Sequence, residues 1–170
     1  LLLVLLGFSS GLPLALTAGT LQAWLAVEGV ELTTIGWFAL VGQPYTYKFL
    51  WAPLLDRYVP PLLGRRRGWL ALIQLALACG IGWMGTVAPS DSLWLLGAVA
   101  LMVAFLSASQ DIVFDALRAD LLGPDERGAG AAVSVFGYRI AMLVSGGLAV
   151  VLADTVLGWP AMYQIGRAHV

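Results

Sequence analysis

Cysteine and histidine are almost missing from this chain, with Cys79 and His169 the single examples in 170 residues. One thiol excludes an intrachain disulfide and a thiolate metal cluster. No zinc signature, Walker loop or Gly-rich dinucleotide fingerprint is present, and Ser-His chemistry would have to rest on His169. Charge is scarce as well: 11% of residues are charged, against about 25% in soluble proteins. Nine basic and ten acidic residues leave a net charge of −1, which argues against a nucleic-acid partner. What fills the chain instead is apolar, 60% of all residues, and that composition is the mark of an integral membrane protein.

Hydropathy predicts an all-α membrane protein with spans at about 1–27, 34–55, 69–87, 93–117 and 129–153, and the start of a sixth at 159. No low-complexity linker or clear internal repeat interrupts them, and the connections are too short for a soluble domain. The chain opens at Leu1 inside an apolar run, without an initiator Met or a basic leader segment, which predicts a fragment. Residues 164–170 break the apolar pattern and look like the in-frame translation of a sequencing adapter, so His169 carries no functional weight and the transmembrane bundle is expected over 1–163.

Lysine and arginine are absent from three of the five connections, which carry Glu28, Glu31, Asp91 and Asp154. The other two hold Arg57, Arg65, Arg66 and Arg67, and Arg118 and Arg127. By the positive-inside rule those two connections and the N-terminus are predicted to be cytoplasmic.

The most informative charge is Arg139, with eleven charge-free residues before it (128–138) and fourteen after it (140–153). Neither flank reaches the roughly 20 residues a span needs, so the fifth helix must carry a guanidinium about 16 Å into the membrane. That placement costs several kcal/mol unless the charge is paired or hydrated, and it points to a transport pathway. Lys48 lies at a similar depth, about 12 Å from the helix end at Asp56, and Asp111 about 13 Å from Asp120. Cross-helix pairing is therefore expected, although Asp111 could also mark the interface, since residues 92–110 already form an uncharged run of 19.

Asp111 and Asp115 are four apart on one helix face, where like charges need a cation or a proton between them. They form either a salt-bridge network with Arg139 or Lys48, or a proton carrier, and a static ion pair holding the helices in register is the simpler alternative. Gln22, Gln43, Gln110, Tyr45 and Tyr138 complete the candidate pathway, and Tyr47 and Gln74 add further polar groups, all suited to a hydroxyl-rich ligand or to plain interhelical hydrogen bonding.

Small residues recur every fourth position at Gly7, Gly11, Ala15, Gly19 and Ala23, and at Gly137, Ala141, Ser145, Ala149 and Ala153, as close-packing ridges do. Arg139 sits about 160° around its helix from Ala141, away from that ridge. Pro13 and Pro44 are expected to kink their spans, freeing the carbonyls of Ser9 and Leu40.

The loop after the second span carries Asp56-Arg57, then Gly64-Arg65-Arg66-Arg67-Gly68. It resembles the Asp-Arg-x-Gly-Arg-Arg motif between the second and third helices of the major facilitator superfamily, with a six-residue spacer where that motif has about one. Four other stretches carry a narrower resemblance. They are Gly7-Phe8-Ser9-Ser10-Gly11-Leu12-Pro13-Leu14, Lys48-Phe49-Leu50-Trp51-Ala52-Pro53, Ser107-Ala108-Ser109-Gln110-Asp111-Ile112-Val113-Phe114-Asp115-Ala116 and Glu126-Arg127-Gly128-Ala129-Gly130-Ala131-Ala132. Together they look like the AmpG family of muropeptide permeases.

The resemblance implies most of a six-helix N-terminal half, built from two inverted three-helix repeats, with the ligand bound against a missing C-terminal half. It implies proton-driven import of anhydro-muropeptides, N-acetylglucosamine linked to anhydro-N-acetylmuramic acid bearing a peptide, across the bacterial inner membrane for peptidoglycan recycling and, in some bacteria, β-lactamase induction. On that reading Asp56, Arg57, Gly64, Arg65, Arg66 and Arg67 are gating residues. Helices one, two, four and five line the cavity, Arg139 or Lys48 takes peptide carboxylates, and Asp111 or Asp115 carries the proton. No cofactor or metal is expected. A facilitator for an acyl-coenzyme A or a sugar is the alternative, and an intramembrane enzyme a more distant one, because its two candidate carboxylates would share one helix.

Overall fold

A computed structural model describes residues 2–61 and 64–167. Among them there is no strand, and the chain is a helical bundle. Four helices are long and apolar enough to cross a membrane: Leu2–Val27, Arg65–Met84, Leu93–Leu121 and Pro124–Leu157. These match four of the five expected spans, with two boundary corrections. The third begins at Arg65, because the arginines supply its first turn, and the fourth continues to Leu121, so Asp111, Asp115 and Asp120 all lie on one helix.

The first span is two helices, α1 (Leu2–Thr17) and α2 (Gly19–Val27), broken at Ala18. Pro13 has no N–H to give the carbonyl of Ser9, as expected. Thr17 turns its hydroxyl back to the Pro13 carbonyl at 2.9 Å, and the Leu16 carbonyl is taken by the Tyr163 hydroxyl at 2.9 Å. The break is thus stabilised from outside the helix.

The expected continuous second span, 34–55, is corrected. It divides into α3 (Leu32–Phe38), a 3-10 turn at Ala39–Gly42, α4 (Gln43–Tyr47), a 3-10 turn at Lys48–Leu50 and α5 (Ala52–Arg57). Pro44 and Pro53 each sit in the first turn of a new segment, where a missing donor costs least. Gly36 and Gly42 precede them, and a continuous α-helical ladder is lost.

Helices α6 (Arg65–Met84) and α7 (Leu93–Leu121) form a packed hairpin, and α7 starts on a Ser92 cap that accepts the Leu95 N–H at 3.2 Å. Beyond them, α8 (Arg127–Leu143) continues through a π-helical turn at Val144–Leu148, α9 (Ala149–Leu152) and a second π turn at Ala153–Leu157. Thr20 takes the Ser145 carbonyl at 2.7 Å, which competes with the regular ladder where the first π turn opens. Last comes α10 (Trp159–Gly166), whose Trp159 stacks on Trp24 at 6.2 Å and whose Tyr163 lies 5.4 Å from the same ring.

The expected small-residue ridges join α1 to α8. A methyl at Gly7 or Gly137 would overlap the carbonyl of Ser134 or Val4, and one at Gly11 would come to 2.7 Å of the Tyr138 carbonyl. Backbones this close gain dispersion over the full crossing, which is what replaces the hydrophobic drive inside lipid. Gly19 is a correction: nothing lies within 4 Å of a methyl placed there, because the break at Ala18 has rotated α2 off the ridge.

Candidate functional site: a polar knot around α7 and the cavity beside it

The polar run Ser107-Ala108-Ser109-Gln110-Asp111 sits in the membrane-spanning part of α7. At 100° per residue its side chains leave the helix in different directions, and the surrounding helices carry groups to meet them. Asp111 accepts the Ser10 hydroxyl of α1 and lies 3.8 Å from the Lys48 ammonium. Ser109 accepts the Trp51 indole N–H at 3.0 Å and returns its own hydrogen to the Phe105 carbonyl at 2.8 Å. Gln110 donates to Ser9 at 3.2 Å, and Gln74 of α6 donates to the same oxygen at 3.3 Å. Four of the helical spans are held in register by one pentapeptide.

The Lys48–Asp111 pair is one of the two pairings expected from depth. Its carboxylate is the more withdrawn partner, 16% exposed against 35% for Lys48. The broken second span explains the reach: the 3-10 turn Lys48–Leu50 lets the lysine approach α7, next to the Trp51–Phe105 ring contact at 4.7 Å. The other expected pairing does not form. Arg139 is exposed and makes no ion pair or hydrogen bond among the described residues. The packing face of α8 runs through Gly130, Ser134, Gly137 and Ala141, and Arg139 lies away from it.

Asp115 also has its own cation, Arg118, at 3.0 Å one turn along the same helix. The two carboxylates therefore do not share one cation. A cavity of about 230 Å³ opens beside both, lined by Gly7 and Ser10 of α1, by Asp111, Phe114, Asp115 and Arg118 of α7, and by Ser134, Val135 and Tyr138 of α8. Three helices, α1, α7 and α8, supply this lining. The second span contributes only through Lys48, behind Asp111. Val135 lines the cavity one turn before Arg139, which is not part of the lining.

The remaining candidates separate. Gln110 is 1% exposed in the helix interface and does not line this cavity. Gln22 is half-buried and Gln43 exposed, neither with a side-chain hydrogen bond among the described residues. Tyr45 buries its hydroxyl against α7.

At the end of the bundle that carries the basic loops, Arg66 bridges two helices. It contacts Asp56 of α5 and holds Asp120 of α7 at 3.0 Å, while Arg65 reaches the Asp56 carbonyl at 3.4 Å. Gly64 makes this possible with φ +77, a backbone turn that other residues rarely adopt. Arg57 and Arg67 are exposed and unpaired among the described residues, and Leu62, Leu63 and His169 lie outside them. Asp120 is the residue that motif spacing missed. Its signal in the sequence was weak, one more acid past the expected helix end.

Comparison with known proteins gives the following. A family model described as Acetyl-coenzyme A transporter 1 matches residues 1–94. The chain is 61% identical over 167 residues, 98% of its length, to the Anhydromuropeptide permease of Escherichia coli (strain K12). It is 36% identical over 165 residues to the protein named Putative transporter AmpG 4 of Rickettsia felis. The chain spans 34% of the length of the first relative and 40% of the second.

Proposed function

Since the chain belongs to the acetyl-coenzyme A transporter family and aligns with AmpG-type permeases over nearly all its length, we propose that it is part of a proton-coupled importer of anhydro-muropeptides. The observation that carries this reading is the Ser10–Asp111–Lys48 constellation, a charged cross-helix contact within the apolar spans of α1 and α7, bordering a cavity. Ion pairs at that depth are rare in purely structural bundles and mark pathways for ions and solutes.

The cavity, about 230 Å³, is smaller than the 300–1,000 Å³ typical of ligand pockets and far too small for a disaccharide carrying a peptide. It fits half of a binding site, the other half being supplied by the remaining two thirds of the length that the relatives have. Residues 1–163 would then be the N-terminal bundle, 164–170 an adapter-derived tail that the source DNA can test, and Arg139 a group facing the second half. Peptide carboxylates would go to Arg139, and sugar hydroxyls to Tyr138, Gln43 and Gln22. Asp111, exchanging Lys48 for a proton, would couple the gradient to movement of α1 against α7.

The N-terminus and the Arg66 network would be cytoplasmic, in the bacterial inner membrane. Partners would be the muropeptide, protons, lipid and the C-terminal half, without nucleic acid. Intramembrane hydrolysis is the weaker reading, because Asp111 and Asp115 hold separate cations on one helix rather than facing each other across a gap.

Labelled anhydro-muropeptide uptake into proteoliposomes holding the full-length protein tests the proposal, with and without an inward proton gradient. Accumulation that requires the gradient, and that unlabelled muropeptide competes away, is expected. The name of the matching family model supports a second reading, an acyl-coenzyme A substrate, and competition by acetyl-coenzyme A but not by muropeptide would select it. Peptide cleavage without accumulation would overturn both.

A further inference from the structure

Most helical hydroxyls in this bundle that do not reach another helix follow one habit. Thr17, Ser109, Ser134, Ser145 and Thr155 each donate to the carbonyl four residues back, at 2.6–2.9 Å. Such back-bonding is how a serine satisfies itself inside a membrane helix. Ser107 breaks the habit. It is fully buried at 0% exposure, yet its Oγ has no hydrogen-bond partner among the described residues. The Tyr45 hydroxyl likewise meets no partner in good hydrogen-bond geometry among the described residues, although the hydroxyls of Ser107 and Thr17 are close enough to interact with it. Thr17 has given its hydrogen to Pro13, so it presents a lone pair to this space.

Three hydroxyls from three helices thus converge with donor and acceptor capacity unspent, in a region where bulk water cannot serve them. Two to four polar partners around one point are what an internal water requires. The position is specific too. Ser107 stands one turn from Asp111 on α7, and Tyr45 three residues before Lys48, so the cluster lies about 6 Å along the helix axis from the Asp111 carboxylate. That is the reach of one or two waters. It lies on the side away from the Arg66 network, which the proposed topology makes the side of proton entry.

We propose that Tyr45, Ser107 and Thr17 hold a relay water that delivers the coupling proton to Asp111. This rests on the proton-coupled reading of the site. The water gives an O–H proton to the Asp111 carboxylate and takes one from the next water outward, so the net change is one proton from outside water bound to Asp111. The groups around that carboxylate are Lys48 and Tyr45 from the second span, Ser10 from α1, Tyr138 from α8, and Asp115 on its own helix. Tyr45 and Ser107 are positioning residues here, acting through the water.

The test uses the full-length protein in proteoliposomes with labelled anhydro-muropeptide, as wild type and as Tyr45→Phe, Ser107→Ala and Ser107→Thr. Counterflow, the exchange of labelled for unlabelled substrate without a gradient, needs no net proton transfer. Accumulation driven by an imposed pH gradient does. Tyr45→Phe and Ser107→Ala are expected to keep counterflow near wild type while accumulation falls at least about tenfold, and Ser107→Thr to restore it. Unchanged accumulation in both Tyr45→Phe and Ser107→Ala overturns the relay. So does a matched loss of counterflow and accumulation, which would make the hydroxyls structural. If wild type performs counterflow but never accumulates substrate on the gradient, the coupled reading itself falls, and the relay with it.

Discussion

Helices α7 and α8 both carry membrane-depth charge, yet the bundle treats them differently. Half of the most apolar stretch of α7 is buried, and its intramembrane acid, Asp111, meets a hydroxyl from one helix and an ammonium from another. In the span Pro124–Leu157, which contains α8, only 17% of the corresponding stretch is buried, and Arg139 is exposed with no ion pair or hydrogen bond among the described residues. The contrast separates two ways a bilayer protein tolerates charge. Asp111 is surrounded by polar groups from neighbouring helices, whereas Arg139 meets none among the described residues, which is why the proposed function gives it a partner in the second half or the substrate.

Four substitutions and one control, Arg67→Ala, sharpen or break this comparison, the four taken from the largest expected effect on stability in detergent to the smallest. The α1–α8 seam depends on close backbone contact, so Gly137→Leu, which drives a side chain into the Val4 carbonyl, is expected to cost about 3 kcal/mol and to deplete folded protein in fluorescence-detected size exclusion. A normal elution profile would show that the seam is not the bundle's main joint. Asp111→Ala strands the Ser10 hydroxyl and the Lys48 ammonium and is expected to cost about 1–3 kcal/mol, read by thermal denaturation.

Arg66→Ala removes a bridge between α5 and α7, but at the exposed end of the bundle. The expected loss is at most about 1 kcal/mol and should shrink as salt is raised, while Arg67→Ala, with no partner, should leave melting unchanged. Arg139→Ala should fall within about 0.5 kcal/mol of wild type while abolishing muropeptide uptake. A large loss of stability there would mean the guanidinium has a structural partner, and the distinction between the two helices would collapse. Normal uptake would remove Arg139 from the proposed mechanism.

Much of the architecture was readable because membrane spans announce themselves by length and apolarity, and four of them appear where hydropathy placed them. The Lys48–Asp111 pair was readable from rise per residue, a one-dimensional quantity. Arg139 shows where that reasoning stops: equal depth does not imply proximity, since two charges at one height can face opposite sides of a bundle. The second span failed for a local reason, as Pro44 and Pro53 lower helix propensity without lowering hydropathy. Asp120 was passed over because an acid beyond a predicted helix end looks solvated, and only the extension of α7 to Leu121 brings it to Arg66.

By itself, then, the amino-acid order determined that this chain lives in a membrane and, to within a few residues, where four of its apolar spans lie, and it supplied expectations for loop sides and charge depths. These follow from properties that add up along a line: transfer free energy, rise per residue and loop charge. Tertiary structure decided which azimuths face one another. It chose which of the polar side chains at a given depth meet, turning Gln110 inward to Ser9, Asp111 to Lys48 and Arg139 outward. That choice depends on how helices rotate and break to bring small residues into contact, a many-body packing outcome that no single segment encodes.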